Sequence, residues 1–140
     1  MAKEINNLIF HMIRQLIQEH TALWQKWLPN VTKQQYSVLM AVWESPGIEQ
    51  KDLIDAAVST KATLAELLSR MEHRGLISRK QGEHDRRRMF INLTEVGEHL
   101  LKSSRPIAER VDEKFLSRIS TSSQDELCLT LKTLLGREKI

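Results

Sequence analysis

Apolar residues recur at helical spacing over the first 27 residues, and this stripe constrains the fold more than any other feature of the sequence. Offsets of three and four residues carry it along about six helical turns, until Pro29 ends the pattern. A stripe this long needs cover, either from the chain's own core or from a second copy of the chain. We expect a second copy, because a chain of 140 residues is small. The stripe consists of Ile5, Leu8, Ile9, Met12, Ile13, Leu16, Ile17, Leu23, Trp24 and Trp27.

The composition indicates one folded domain, residues 1–140, in a reducing compartment. Hydrophobic residues make up 41% of the chain, and five Gly and three Pro favour long helices with few breaks. No apolar run approaches the roughly 18 residues of a membrane span, and the first ten residues lack the layout of a signal peptide. The single cysteine excludes an internal disulfide. We therefore expect a cytoplasmic protein with no membrane partner and no cofactor.

Residues 32 to 75 have the pattern of one helix followed by a helix-turn-helix, in which a short helix and a capped helix are separated by three residues. Thr32 and Gln35 form a capping box that opens a helix, a Ser-Pro-Gly sequence at 45–47 closes it, and a short helix follows at about 49–56. Ser59 is placed to cap a helix over 60–74, which Gly75 ends. The predicted inward residues are Tyr36, Leu39, Met40 and Trp43 in the first helix, Leu53 and Ile54 in the second, and Leu64, Leu67, Leu68 and Met71 in the third.

Two strands and two further helices complete the predicted fold. Strands at 76–80 and 89–93 flank the polar loop QGEHDRRR, Thr94 caps a long helix with a kink at Pro106, and a capping box at 123–126 opens the last helix. The fold class is mainly α with a small β-hairpin. A winged helix-turn-helix at 32–93 is flanked by dimerisation helices at 1–28 and 95–140. The outer stripes are Leu100, Leu101, Ile107, Val111, Phe115, Leu116 and Ile119, and then Leu127, Leu131, Leu134 and Leu135.

Positive charge is concentrated in one segment, residues 70–88. It holds seven basic and three acidic residues, so this segment carries +4 while the rest of the chain carries −1. Such a local surplus is the kind that polyanions select. The formal net charge of +3 alone would not have indicated this.

The second helix of a helix-turn-helix places its first turn nearest the base edges of DNA. The residues predicted to contact DNA there are Ser59, Thr60, Lys61, Ala62 and Thr63, with Arg70 further along the same helix. Their small size and hydroxyl groups allow close approach, and a helix N-terminus favours anions. The alternative is that these residues only keep an exposed helical face soluble. We favour that alternative for Glu66 and His73, and DNA contact for Lys61 and Thr63.

The loop between the strands is interpreted as a wing that reaches the minor groove, where negative potential draws in an arginine side chain. A carboxylate beside that arginine can aim its guanidinium by bidentate pairing, and Asp85 is placed to do so. The neighbouring arginines would meet phosphates. The alternative is a solvated loop whose arginines make no contact. The predicted wing residues are Asp85, Arg86, Arg87 and Arg88.

The segment DRRRMFINLT, residues 85–94, matches D-x-R-x5-L-T and resembles the wing signature of the MarR family of bacterial transcription regulators. VSTKATLAELLSRMEHRGLI, residues 58–77, resembles that family's recognition helix and is similar to HosA-type members. The resemblance covers essentially the whole chain. It implies a DNA-binding transcription regulator, and the homodimer expected from the end helices would bind a palindromic duplex DNA operator. Repression is the default expectation, since a dimer over a promoter blocks polymerase, and activation stays open. The resemblance also implies Asp85 as the aiming residue and Arg87 as the minor-groove arginine, whereas Arg86 and Arg88 lie outside the fixed positions of the signature.

The same resemblance implies an effector, a small phenolic or aromatic acid bound between the dimerisation helices and the DNA-reading part. His11, Arg14, Trp24 and Tyr36 would supply its cation, apolar wall and hydroxyl partner, although they are equally interpreted as interface, surface or core residues. Cys128 stands far from the first helix, which argues against redox sensing, and we expect it to pack as a small apolar residue.

The sequence argues against two other functional classes, a metal-dependent enzyme and a module for protein association. The pair His84-Asp85 resembles part of a metal phosphohydrolase site, but the other histidines lack ligand spacing and three arginines would repel a divalent cation. We therefore expect no catalytic residues and no metal ligands. A winged-helix module for protein association would not need a basic wing, and the salt dependence of DNA binding separates it from a DNA-binding regulator.

Overall fold

The computed structural model describes residues 2–57 and 60–137, with the side chains of residues 2, 3 and 5–7 left undescribed. Its elements confirm the predicted fold class: helices dominate, and a small antiparallel sheet carries the wing. In chain order they are α1 (Ala2–Trp27), α2 (Lys33–Glu44), β1 (Ile48–Glu49), a 3₁₀ turn (Gln50–Asp52), α3 (Leu53–Ala56), α4 (Lys61–His73), β2 (Ile77–Gln81), β3 (Met89–Leu93), α5 (Glu95–Leu116) and α6 (Thr121–Leu134).

The helix ends are fixed by local hydrogen bonds that the sequence predicts. Thr32 and Gln35 form the expected capping box, each side chain accepting from the other residue's backbone N–H at 3.1 Å. Gly75, at φ 75°, ends α4: its N–H donates to the Glu72 carbonyl and the next N–H donates to the Met71 carbonyl. This pair of bonds is a Schellman motif, which needs a left-handed residue at that position. Thr94 caps α5 through the Gly97 N–H at 3.0 Å.

Two predicted caps are wrong by one and three residues. The N-cap of α4 is Thr60, whose hydroxyl accepts from the Thr63 N–H at 3.3 Å; Ser59, predicted for this role, lies outside the described residues. The N-cap of α6 is Ser120, whose hydroxyl accepts from the Ser123 N–H at 3.1 Å, so the predicted box at 123–126 lies inside the helix. In both places neighbouring hydroxyls offer equivalent caps, and a local pattern does not choose between them.

The sheet has three strands in the order β1-β3-β2, all antiparallel. The two predicted strands are present, the first shifted by one residue. The third strand, β1, pairs Ile48 with Ile91 and Glu49 with Phe90. It connects α2 to the helix-turn-helix, so the sheet joins the wing to the chain that enters the DNA-reading helices.

The core lies where α2, α3, α4 and α5 meet the sheet. Leu64, Leu68 and Met71 are fully buried as predicted, whereas Trp43 is 41% exposed and lies beneath the Lys102 ammonium group. Val38 and Val42 occupy the buried positions of α2 instead, because this helix packs against both α5 and the sheet. The other buried apolar residues are Trp24, Leu28, Val31, Leu39, Leu53, Ala57, Leu76, Ile77, Ile91, Leu101, Ala108 and Val111.

The outer helices carry apolar surface that one chain does not cover. The exposed residues are Leu8, Ile9, Phe10, Met12, Leu16 and Ile17 in α1, and Leu127, Leu129, Leu131, Leu134 and Leu135 in and just after α6. Cys128 is exposed among them in the single chain. Ile119 is exposed as well, because α5 ends at Leu116, while Pro106 lies inside that continuous helix. None of the helices in residues 2–57 and 60–137 is long and apolar enough to cross a membrane.

Candidate nucleic-acid interface

The first turn of α4 presents small or polar residues to solvent. Lys61, Ala62 and Thr63 are all exposed, and the Thr60 hydroxyl donates to that of Thr63 at 3.0 Å. The opposite face of α4 is anchored in the core, which fixes the direction of this turn. The unbonded N–H groups of a first turn carry partial positive charge, and Lys61 adds a full one. This end of the helix is therefore suited to a phosphate or to a base edge.

Arg70 lies two turns further along the exposed face of α4. Its guanidinium donates to Glu66 at 3.0 Å, and both side chains are exposed. An exposed pair of this kind contributes little to stability and exchanges readily for a phosphate contact. Arg70 thus lies on the same helical face as Thr63, seven residues earlier, while its charge is partly balanced by Glu66.

The wing contains the aimed arginine that the sequence predicts. The Asp85 carboxylate accepts three hydrogen bonds from Arg87: from the backbone N–H at 3.0 Å, from Nε at 3.1 Å and from Nη2 at 3.2 Å. These hydrogen bonds hold the pKa of Asp85 below its usual value, so the carboxylate stays charged at neutral pH. The Arg87 side chain is 91% exposed. The pair thus holds a fully charged guanidinium in a fixed direction at the tip of the hairpin.

The other two wing arginines have different surroundings. Arg88 turns back toward the sheet, where it forms an ion pair with Glu49 and lies 5.0 Å above the centre of the Phe90 ring. Arg86 is exposed, and its backbone carbonyl accepts from the Gln81 side-chain amide at 2.7 Å. Among the described residues nothing pairs with the Arg86 guanidinium. Sequence reasoning missed Glu49, because the strand that carries it is two residues long and stands 39 residues away.

A cleft of about 380 Å³ separates the start of α4 from the wing. Lys51, Lys61 and Arg87 line it, and so does Gln50, whose buried Oε1 has no hydrogen-bond donor within the described part of the chain. Arg88 and Glu49, which pair with each other, also line the cleft, so it holds four cations and one carboxylate. A concave site with this excess of positive charge fits a nucleic-acid strand, which offers phosphates. Gln50 and Lys51 were not predicted, and only the position of β1 and the turn after it reveals them.

The four residues predicted to bind an effector do not come together within one chain. Trp24 is buried, donates from its indole N–H to the Val31 carbonyl at 2.8 Å, and meets the Tyr36 ring edge-on at 5.3 Å. His11 and Arg14 are exposed on α1, thirteen and ten residues earlier. At 1.5 Å per residue they lie about 20 Å and 15 Å from Trp24 along the helix. The predicted set is thus divided into an aromatic pair and two distant surface residues.

A different cavity, of about 380 Å³, lies between α1, α5 and the start of α2. Leu16, Phe115 and Leu116 supply an apolar wall, and His20 and Lys33 supply polar groups. The His20 ring stands between Phe115 at 5.5 Å and Trp24 at 6.3 Å, with Nε2 2.7 Å from the Asp112 carboxylate. Its buried Nδ1 has no partner in the described part of the chain. Burial lowers the pKa of Lys33, and the Asp112 charge opposes that change.

The spacing of His20 and Trp24 is a signal that sequence reasoning missed. His20 lies four residues, or one turn, before Trp24 on the same apolar stripe, so its ring is expected to contact the aromatic cluster. Lys33 gave no such signal, because it enters the cavity only through the way α5 packs against α1 and α2. The same packing buries the Tyr36 hydroxyl region and raises the pKa of Tyr36.

Comparison with known proteins places these features in a family context. The MarR family model matches residues 31–89. The chain is 54% identical over 121 residues to the transcriptional regulator HosA of Escherichia coli O157:H7, which covers 86% of this chain and 90% of the relative. PcaV of Streptomyces coelicolor, solved with its natural ligand, superposes with a TM-score of 0.85 over 90% of each chain at 27% identity. An Escherichia coli MarR variant solved with operator DNA has a TM-score of 0.84 over 96% of this chain and 98% of the other; at 20% identity this is a likeness of fold.

Proposed function

The chain belongs to the MarR family of transcription regulators and is not an enzyme, and from this premise we propose that it is a dimeric, sequence-specific repressor acting in the cytoplasm. It binds a palindromic operator through α4 in the major groove and Arg87 in the minor groove. The observation that carries this proposal is the Asp85–Arg87 pair at the tip of a hairpin, beside the exposed first turn of α4.

Specific binding follows because α4 and the wing contact different grooves of the operator. Lys61 and Thr63 have the length and hydrogen-bonding groups to reach base edges, and Ala62 lets the helix approach closely. Arg87 reads the width and negative potential of the neighbouring minor groove, which needs no unique pattern of base contacts. Lys51 and Arg86 add phosphate contacts around this pair. Together they read one half-site.

The uncovered apolar surface of α1 and α6 supports a dimer formed through residues 1–28 and 95–140, with residues 32–93 binding DNA. Contiguous apolar surface of this kind marks an association site. A two-fold pairing of the same surfaces closes the assembly and presents two α4 helices to DNA. The half-sites are then expected about 34–36 Å apart, which is one turn of B-form DNA.

The cavity between α1, α5 and α2 supports release by a small aromatic acid. An aromatic ring fits between Phe115, Leu16 and Leu116, a carboxylate finds the Lys33 ammonium, and a ring hydroxyl can donate to the unpartnered His20 Nδ1. The solved PcaV complex holds its natural ligand in a protein of the same fold. Contacts with α4 lie close to this cavity: Arg74, the C-cap of α4, donates to the Asn30 carbonyl at 2.9 Å, in the turn before α2, and to the Gln35 side chain at 3.3 Å, in the first turn of α2.

Selection of bound duplexes from a random pool tests the proposal. The expected result is a palindrome whose half-sites lie about one helical turn apart. Repeating the selection with a panel of aromatic acids should identify the acid that lowers operator binding. Titration with salt supplies the control, because phosphate contacts make affinity fall steeply as salt rises. A protein that binds no duplex at low salt would instead be a winged-helix module for protein association.

A further inference from the structure

Glu49 and Arg88 join two parts of the fold that are distant in sequence. Glu49 lies in β1, 16% exposed, and Arg88 lies at the end of the wing loop, 51% exposed. Their ion pair is covered on one side by the Phe90 ring, 5.0 Å from the guanidinium carbon, and Phe90 is the register partner of Glu49 in the sheet. Arg88 is thus held from two directions by neighbouring strands.

The loop geometry makes Arg88 the anchor of the wing tip. Its carbonyl accepts from the Gly82 N–H at 2.9 Å, and its own N–H donates to the Asp85 carbonyl at 3.1 Å. A side chain on Gly82 would collide with that same Asp85 carbonyl, which leaves the loop little room to rearrange. Asp85 and Arg87 therefore take their position from Arg88.

The other partner of this ion pair stands at the entrance to the helix-turn-helix. From Glu49 the chain passes directly into the turn Gln50–Asp52 and then into α3. We propose that Glu49 and Arg88 form a clasp that sets the position of the wing arginine relative to α4, so that both reach their grooves at once. This inference rests on the proposed operator binding. It gives Arg88 a positioning role in place of the phosphate contact expected from the sequence.

The charge of Glu49 also argues against a phosphate contact by Arg88. Hydrogen bonding from Arg88 holds the pKa of Glu49 below its usual value, so the Glu49 carboxylate stays ionised at neutral pH. Moving Arg88 to a phosphate would leave that carboxylate, next to a polyanion, with only the longer contact to the Lys51 ammonium at 4.0 Å. The clasp instead keeps both charges satisfied in the bound state.

The substitution Glu49→Gln separates the two roles of Arg88 by the sign of its effect. If the clasp positions the wing, Glu49→Gln weakens operator binding on the order of fivefold, as expected for loss of a partly exposed ion pair, while binding to unrelated duplexes does not weaken. If Arg88 were a phosphate contact, the same substitution would free it and tighten binding to every duplex. Glu83→Gln is the matched control, since it removes an exposed carboxylate from the same wing, 3.9 Å from Lys80.

A charge exchange and a footprint complete the test. Combining Glu49→Arg with Arg88→Glu should recover part of the operator affinity that each single change loses. Hydroxyl-radical footprints of Glu49→Gln should lose minor-groove protection at the half-site flanks and keep the protection due to α4. Thermal melting confirms that each variant is folded. Wild-type or tighter operator binding by a folded Glu49→Gln overturns the clasp alone, whereas a wild-type protein that selects no duplex overturns the proposed function with it.

Discussion

Replacing Arg87 with alanine is the most direct perturbation of the proposed interface. The side chain is 91% exposed and its contacts are those with Asp85, so nothing in the core depends on it. We expect the melting temperature of Arg87→Ala to stay within about 2 °C of the wild-type value. The whole effect should appear in DNA binding.

The size of that effect follows from the number of arginines removed. Each protomer presents one aimed guanidinium, so a dimer loses two. A specific contact contributes about 1–3 kcal/mol. Even the lower limit, about 2 kcal/mol for both copies, corresponds to roughly 30-fold weaker operator binding. Loss of two cations should also make the slope of log K against log salt shallower by about 1.8.

Fluorescence anisotropy with the selected operator and with a scrambled duplex, each at several salt concentrations, measures both quantities. Arg86→Ala is the matched control: it removes the same charge from the adjacent residue, whose guanidinium has no partner among the described residues. Arg86→Ala should make the slope of log K against log salt shallower by the same amount as Arg87→Ala does. It should lower the affinity for the operator and for the scrambled duplex by equal factors. An Arg87→Ala variant that binds the operator as the wild type does, or that behaves like Arg86→Ala, would refute the minor-groove assignment.

Three further outcomes are expected. Changing Leu134 and Leu135 to glutamate places charge on the uncovered surface that includes α6, so sedimentation should show monomers that bind DNA poorly; an intact dimer would contradict the proposed interface. Lys33→Met should abolish release by the effector acid while operator affinity without acid is unchanged, and unaltered release would exclude this cavity. Hydrogen bonds from arginine partners hold the pKa values of Glu49, Glu72 and Asp85 below their usual range. The stabilisation from these pairs is therefore complete above the carboxyl pKa values of the unfolded chain, about 4, and is lost as pH falls through the lower pKa values of the folded protein. Melting temperatures should decline below about pH 4, and a rise on acidification would contradict these pairs.

Several features that depend on local bonds were predictable from the sequence, although the N-caps of α4 and α6 were not. The capping box at Thr32, the left-handed Gly75 and the Thr94 cap each involve residues within five positions of one another, so their pattern is complete in a short segment. The same holds for the Asp85–Arg87 pair, whose members are two residues apart. The long stripe of α1 was also informative, since Leu8, Ile9, Met12, Leu16 and Ile17 on it are exposed in the single chain.

Features that depend on packing between distant elements were not predictable. The strand β1 has two residues and therefore no periodicity to detect, yet it carries Glu49 to Arg88. Trp43 fits the helical spacing of α2, but Val38 and Val42 are buried because that helix touches α5 and the sheet on different sides. The cavity at His20 and Lys33 likewise exists only once α5 is in place. Spacing identifies an apolar face, whereas the neighbour that covers it is chosen in three dimensions.

The run of three arginines in the wing illustrates the same limit for charged residues. Their sequence locates a basic surface, but the three side chains differ in what holds them: Arg87 is aimed outward by Asp85, Arg88 is drawn inward by Glu49, and Arg86 is exposed. A carboxylate within two residues directs a guanidinium outward with the loop, whereas one from another strand pulls it toward the sheet. The position of the acidic partner, more than the number of arginines, therefore decides how many of them are available to DNA.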